Sequence, residues 1–393
     1  MKNLVRGAAA LALTLVMGTQ AVAITPDKLS HIHGMAELKG VPYLAGHDGL
    51  YRYDPKLNDA RRVSADAWDF MSLAYTQEAL LGSGHPPEGG NLGLVRSTDG
   101  VRWTRVSPGL NGPVDFHMMA VDPRNSRIIY GLYGSLQRSA DGGQTWEKAG
   151  KLPSEKTYSL ALQVTGDKEH LMAGVDQGLL VSEDQGRTWR PGMMLRLPVT
   201  LVSVTSDGVV WAFVVGKGLM RAEPDTLRFR PVFNALGTRY PRYLVRAGEG
   251  YQLLDNTGML WTGDATGTNW TLNRGAVAMG PAEASGKKLF DQYCTACHGS
   301  NGVGETYSVQ ALTDQNYRMA PALDWTMHAW HHTDENLRET ILNGFPDVPG
   351  SRMPAWKGTL SAGQADDIIA YMKTLWRERE RNCQGPKHMN CQE

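Results

Sequence analysis

The sequence predicts an all-β propeller of about six four-stranded blades followed by a small all-α domain. Three observations carry this. A Gly- and Trp-containing turn motif recurs in register, a short apolar strand precedes each copy, and both patterns stop near Gly275, where helix signals begin. With 393 residues the chain is long enough for more than one core.

The first 23 residues read as an export signal. Lys2 and Arg6 flank a short apolar run, Gly7 to Met17, and Ala21-Val22-Ala23 is a small-residue cleavage site. Cleavage after Ala23 would leave 38 basic against 40 acidic side chains, from 40 of each in the whole chain, a net charge of about −2. No later run is long and apolar enough to span a bilayer, so no membrane span is expected after cleavage. The balanced charge excludes a partner recognised through a basic field, nucleic acid above all. The expected compartment is the oxidising periplasm.

Residues 24–275 carry the repeat. Ser97-Thr98-Asp99-Gly100-Val101-Arg102-Trp103 returns as Ser139-Ala140-Asp141-Gly142-Gly143-Gln144-Thr145-Trp146 and as Ser182-Glu183-Asp184-Gln185-Gly186-Arg187-Thr188-Trp189. The starts lie 42 (139−97) and 43 (182−139) residues apart, a blade's length. Asp and Gly make the turn and Trp packs back across it. Gly49, Gly93, Gly134, Gly178, Gly218 and Gly258 mark one strand in each of six units. Met35-Ala36, Leu73-Ala74, Met119-Ala120, Leu160-Ala161, Leu201-Val202 and Leu244-Val245 mark another. These copies resemble the Asp-box repeats of sialidase-like, sortilin-like and photosystem-assembly propellers, a resemblance that implies fold rather than function. A sialidase-type site needs an arginine cluster, a Tyr–Glu pair and an Arg-Ile-Pro segment. No Arg-Ile-Pro occurs, so glycosidase activity is not expected.

Residues 276–285 read as a linker, 286–380 as the helical domain and 381–393 as a tail. Asn336 to Asn343 is expected to be a short helix closed by Gly344. Ser361-x-x-Gln364 is a capping box ahead of a helix whose face carries Ile368, Ile369, Met372, Leu375 and Trp376. Cys294-Thr295-Ala296-Cys297-His298 has the spacing at which two thiols form thioethers to haem vinyl groups and the next His binds iron. The layout resembles a class I cytochrome c. That resemblance implies one covalent haem c, held by Cys294 and Cys297, with His298 the proximal iron ligand and Met353 the distal one. Met319 and Met327 are the rival distal ligands. Such a domain exchanges electrons with a periplasmic partner.

Histidines crowd the first three blades. His33, Met71 and His117 fall at matched positions ahead of the innermost strands of blades 1, 2 and 3, and His47 and His85 end the second strands of blades 1 and 2. The start of a first strand and the end of a second share one end of a blade. His31, His33, His47, His85, His117 and Met71 are therefore expected to form a metal site. Imidazoles with a thioether favour copper, and an all-imidazole set would also suit zinc or iron. Asp48, Asp69 and Asp115 are candidates to orient the rings. In the tail, Cys383 and Cys391 form either a disulfide loop or, with His388 and Met389, a soft-metal site.

The functional expectation is an oxidoreductase acting on a small molecule at the propeller face, with no catalytic residue assigned. The alternative is a copper-handling or ligand-binding propeller joined to an electron-transfer cytochrome, without turnover.

Overall fold

The apolar pairs that mark each repeat become the innermost strands of six blades. In the computed structural model, which describes residues 23–29, 31–275 and 277–391, 24 strands (β1–β24 in chain order) form six four-stranded antiparallel sheets. The expected signal segment lies outside the described residues but for Ala23. The innermost strands are β1 (Gly34–Leu38), β5 (Asp69–Tyr75), β9 (Met118–Val121), β13 (Thr157–Thr165), β17 (Val199–Val204) and β21 (Pro241–Ala247). Each blade uses four consecutive strands, so the ring closes by β1 packing on β21. Of the marker glycines, Gly49, Gly178 and Gly218 open the third strands of their blades, and the others lie one or two residues before theirs.

The repeated turns are built by side-chain oxygens acting on the backbone. Ser182 Oγ accepts from Gly186 N–H (2.8 Å), and Asp184 Oδ1 accepts from Thr188 N–H (2.8 Å). Ser139 and Asp141 do the same for Gly143 and Thr145. Blade 6 carries a further copy at Asp264, Gly267 and Trp270, with the Trp270 indole donating to Gly267 O (2.9 Å).

The helical domain begins at Pro281, inside the stretch read as a linker. Its longer helices are α1 (Pro281–Tyr293), α4 (Asp334–Asn343) and α5 (Ala362–Thr374), with short α2 (Thr295–His298), α3 (Val309–Thr313) and α6 (Glu378–Asn382). The capping box forms at Ser361 and Gln364, and Gly344 ends α4 at φ 60°. Helices α1 and α5 cross closely because Gly286 lacks a side chain: a Cβ there would stand 1.8 Å from Asp367 O. Phe290, Ile368, Ile369, Met372 and Trp376 make the core of this domain. Cys383 and Cys391 form a disulfide. Among the described residues no helix is long and apolar enough to cross a membrane.

The two parts pack against each other through blades 5 and 6. Val303 joins the apolar cluster of Trp211, Leu236 and Trp261, and Gly237 N–H donates to Thr306 Oγ1 (3.0 Å). Arg239, just ahead of β21, pairs with Asp324, which Arg274 also approaches at 3.4 Å. Gly216, in the turn after β18 (Val210–Val214), packs on Val309 and Leu312. The lead-in to a first strand and the turn after a second lie at one end of a blade. The helical domain therefore docks at the end of the ring where the matched histidines sit.

Candidate functional site

The six innermost strands surround an axial channel of about 380 Å³, and His33 and His117 line it at its mouth. Backbone bonds seat both residues, His33 N–H donating to Ala45 O (2.9 Å) and His117 N–H to Leu132 O (3.3 Å).

The predicted imidazoles gather in two groups. In the first, the His33 and His47 Nε2 atoms are 3.3 Å apart, and the His31 ring centroid lies 5.3 Å from that of His47. His47 Nδ1 is 2.9 Å from Asp69 Oδ1, an oxygen with no other polar partner among the described residues. His33, His47 and Asp69 can thus offer ligand atoms that all lie within 4.8 Å of one another. Burial, then the neighbouring His47, lowers the His33 pKa, and the nearby Arg242 adds to the effect. Its lone pair is therefore available at neutral pH.

In the second group Asp115 gathers two rings. Its Oδ2 is 3.0 Å from His85 Nε2 and 2.6 Å from His117 Nε2, while Oδ1 is buried without a partner. His85 Nδ1 lies 2.9 Å from Gly90 O and is the donor there. A neutral His85 then turns its Nε2 lone pair toward a carboxylate oxygen, a contact that needs a proton or a metal cation between them. Asp69 and Asp115 thus take the orienting role expected of them. Asp48 does not, because it accepts from the Tyr51 hydroxyl (2.7 Å). Met71 occupies a bulge in β5 between Phe70 and Ser72 and is not among the residues lining the channel. Sequence spacing alone did not show Asp69 and Asp115 dividing the rings.

The helical domain encloses a second cavity, of about 520 Å³, lined by Cys294, Cys297, His298 and all three candidate methionines, Met319, Met327 and Met353. Leu337, Ile341, Phe345 and Trp356 add apolar wall. His298 Nδ1 lies 2.8 Å from Pro321 O, which fixes the ring and leaves Nε2 as the ligand atom. Burial lowers the His298 pKa, keeping the imidazole neutral, and burial pushes the Cys294 thiol up to about 12. Two thiols, a neutral oriented imidazole, thioethers and an apolar enclosure fit haem c.

Among solved structures, this chain is similar to a GH74 enzyme of Niastella koreensis (16% identity over 64% of this chain and 46% of that one, TM-score 0.43). It is also similar to YCF48 from Cyanidioschyzon merolae (14%, 62% and 86%, TM-score 0.39). A third is the GH74 xyloglucanase from Xanthomonas campestris (18%, 64% and 46%, TM-score 0.40). The chain spans about half the length of those two GH74 enzymes. Residues 281–372 match the family described as Cytochrome C oxidase, cbb3-type, subunit III. With the thiols, the imidazole and the cavity in place, the chain carries a class I cytochrome c domain over that range, behind a six-blade β-propeller.

Proposed function

We propose that this is a periplasmic, haem c-dependent oxidoreductase in which copper, held by the imidazoles at the channel mouth, exchanges electrons with the haem of the fused domain. The observation that carries the reading is the facing of ring nitrogens. His33 and His47 present Nε2 to each other, and His85 presents Nε2 to Asp115, arrangements that a cation between them satisfies. The cytochrome domain docks at the same end of the ring, which favours exchange within one chain.

Haem c, when bound, supplies one-electron chemistry. Cys294 and Cys297 would anchor it, and His298 and Met353 would bind its iron. Pro321 O holds the His298 imidazole in one tautomer, and the apolar wall would keep water from a bound haem. At the channel mouth Asp69 and Asp115 orient His47, His85 and His117.

A second reading, copper handling without turnover, draws on exposure. The His47, His85 and His117 side chains are 41%, 41% and 60% exposed, open enough for a metal to exchange.

Elemental analysis of haem-loaded protein tests the metal. Copper is expected beside iron in the wild type, and lost with haem retained when His33 and His47, or His85 and His117, become Ala. Wild type that holds only haem iron after copper loading overturns the site. Copper that a mild chelator strips quickly, and whose reduction never reaches the haem, leaves the handling role. For the haem, Met353→Ala should open the iron to carbon monoxide, whereas Met319→Ala and Met327→Ala should not. Opening by Met319→Ala instead would move the distal ligand.

A further inference from the structure

The six blades place one residue each at the same register point, His33, Met71, His117, Tyr158, Thr200 and Arg242, and all but Met71 line the channel. Each stands three residues before its blade's equivalent of Ala36, which is Ala74, Ala120, Ala161, Ser203 and Val245 in blades 2 to 6, the bulge at Thr200 setting the blade-5 point one residue past the Val202 of the sequence marker. In blades 2, 4, 5 and 6 this residue is the extra one of a β-bulge, between Phe70 and Ser72, Thr157 and Ser159, Val199 and Leu201, and Pro241 and Tyr243. A bulge re-aims a side chain and disturbs the ladder, so a position repeated in four blades is a built feature.

The ring is divided by chemistry. Blades 1 to 3 contribute two imidazoles to the channel, the Met71 thioether standing off its lining. Blades 4 to 6 contribute a phenol, a hydroxyl and a guanidinium, and all three side chains line the channel. Tyr158 spends its hydroxyl proton on Asp176. Arg242 is the ring's only fixed cation, it is exposed, and it makes no ion pair among the described residues, unlike its neighbours Arg239 and Arg246. The carboxylates nearby, Asp69 and Asp115, are turned to His47, His85 and His117.

We propose that the channel mouth binds a small oxyanion between Arg242, beside His33 at the seam of blades 6 and 1, and His117 of blade 3 across the channel. This deepens the metal reading by naming the class of its substrate, and only the imidazole-side contact rests on that reading. A guanidinium presents a planar fork that matches the two oxygens of a carboxylate-like anion. A channel of about 380 Å³ has ample room for such an anion.

The test is calorimetric titration of the haem-loaded full chain with formate, with formamide as the neutral isostere, in metal-free and copper-loaded preparations. Formate should bind both, more tightly with copper. Arg242→Ala should weaken it by about tenfold or more, with Arg242→Lys intermediate and formamide not competing. Formate binding equal in wild type and Arg242→Ala, or absent from both preparations, overturns the proposal. Failure to load copper removes the metal reading alone, because formate binding by the metal-free protein and its dependence on Arg242 still decide this one. An unchanged Soret band and circular dichroism confirm that the Arg242 variants fold.

Discussion

Arg239 of the propeller and Asp324 of the cytochrome domain form an ion pair almost wholly withdrawn from water, 2% and 0% exposed. Arg274 completes the cluster from behind the last propeller strand, and burial lowers its pKa. Asp324 stands three residues after Pro321, whose carbonyl holds His298. Arg239 also reaches Val303 O at 3.4 Å, so one propeller side chain touches both segments that flank the haem histidine. Gly237 makes the approach feasible: at φ 66° a Cβ would stand 2.0 Å from Val303 O. The cytochrome is clamped to the ring rather than swinging on a linker.

Removing Asp324 unbalances this cluster. Asp324→Ala should cost about 3–5 kcal/mol, because the buried Arg274 loses its carboxylate partner and Arg239 keeps only Asp255, at 3.4 Å. In a helical domain of roughly a hundred residues this lowers the thermal midpoint, read from the haem absorbance, by more than about 10 °C. A midpoint unchanged from wild type would show that the pair is not closed in solution.

The repeated turns predict an acid-sensitive ring. Asp184 is held down to about 2, first by the Thr188 N–H, then by the Thr188 and Ser182 hydroxyls. A carboxyl depressed on folding stabilises fully above its unfolded value, and that contribution is lost as pH falls through the folded one. Urea midpoints taken from about pH 5 down to about pH 2 should fall less steeply in Asp184→Asn than in wild type. Parallel curves would sink the assignment.

Much of this was legible because it is periodic or densely spaced. The boxes at Ser97, Ser139 and Ser182, the marker glycines and Cys294–His298 announce themselves within a few residues. The blade-6 copy escaped because an extra residue separates Asp264 from Gly267 and Thr262 stands where Ser would. Arg239–Asp324 could not be read at all, since 85 residues separate the pair and no local pattern marks either member. The split of the imidazoles followed from which carboxylate each ring meets across blades, and strand register does not encode that.

The tail disulfide does more than close a loop. It holds His388 against His331, ring centroids 4.3 Å apart and stacked, and burial followed by the His388 charge lowers the His331 pKa. Replacing Cys383 and Cys391 by Ser should cost about 2–3 kcal/mol in loop entropy. It should also raise the His331 pKa toward its ordinary value, seen by proton NMR. The sign follows from the charge: a base depressed on folding stabilises above its unfolded pKa, and the contribution fades as pH falls toward the folded one. An unmoved His331 titration would mean that the stack survives without the bond.

Asp115 offers the sharpest test of the channel mouth, because its buried carboxylate touches two candidate ligands and nothing else polar among the described residues. Asp115→Ala leaves His85 and His117 in the chain but removes what orients them. Copper affinity, measured by competition with a chelator, should fall roughly 10–100-fold, as when a partner of a ligating imidazole is lost. Asp48→Ala should leave it unchanged, since Asp48 serves Tyr51. If Asp115→Ala binds copper like wild type while His33→Ala does not, the ion sits with His33, His47 and Asp69 alone, and the second group is a hydrogen-bonded support.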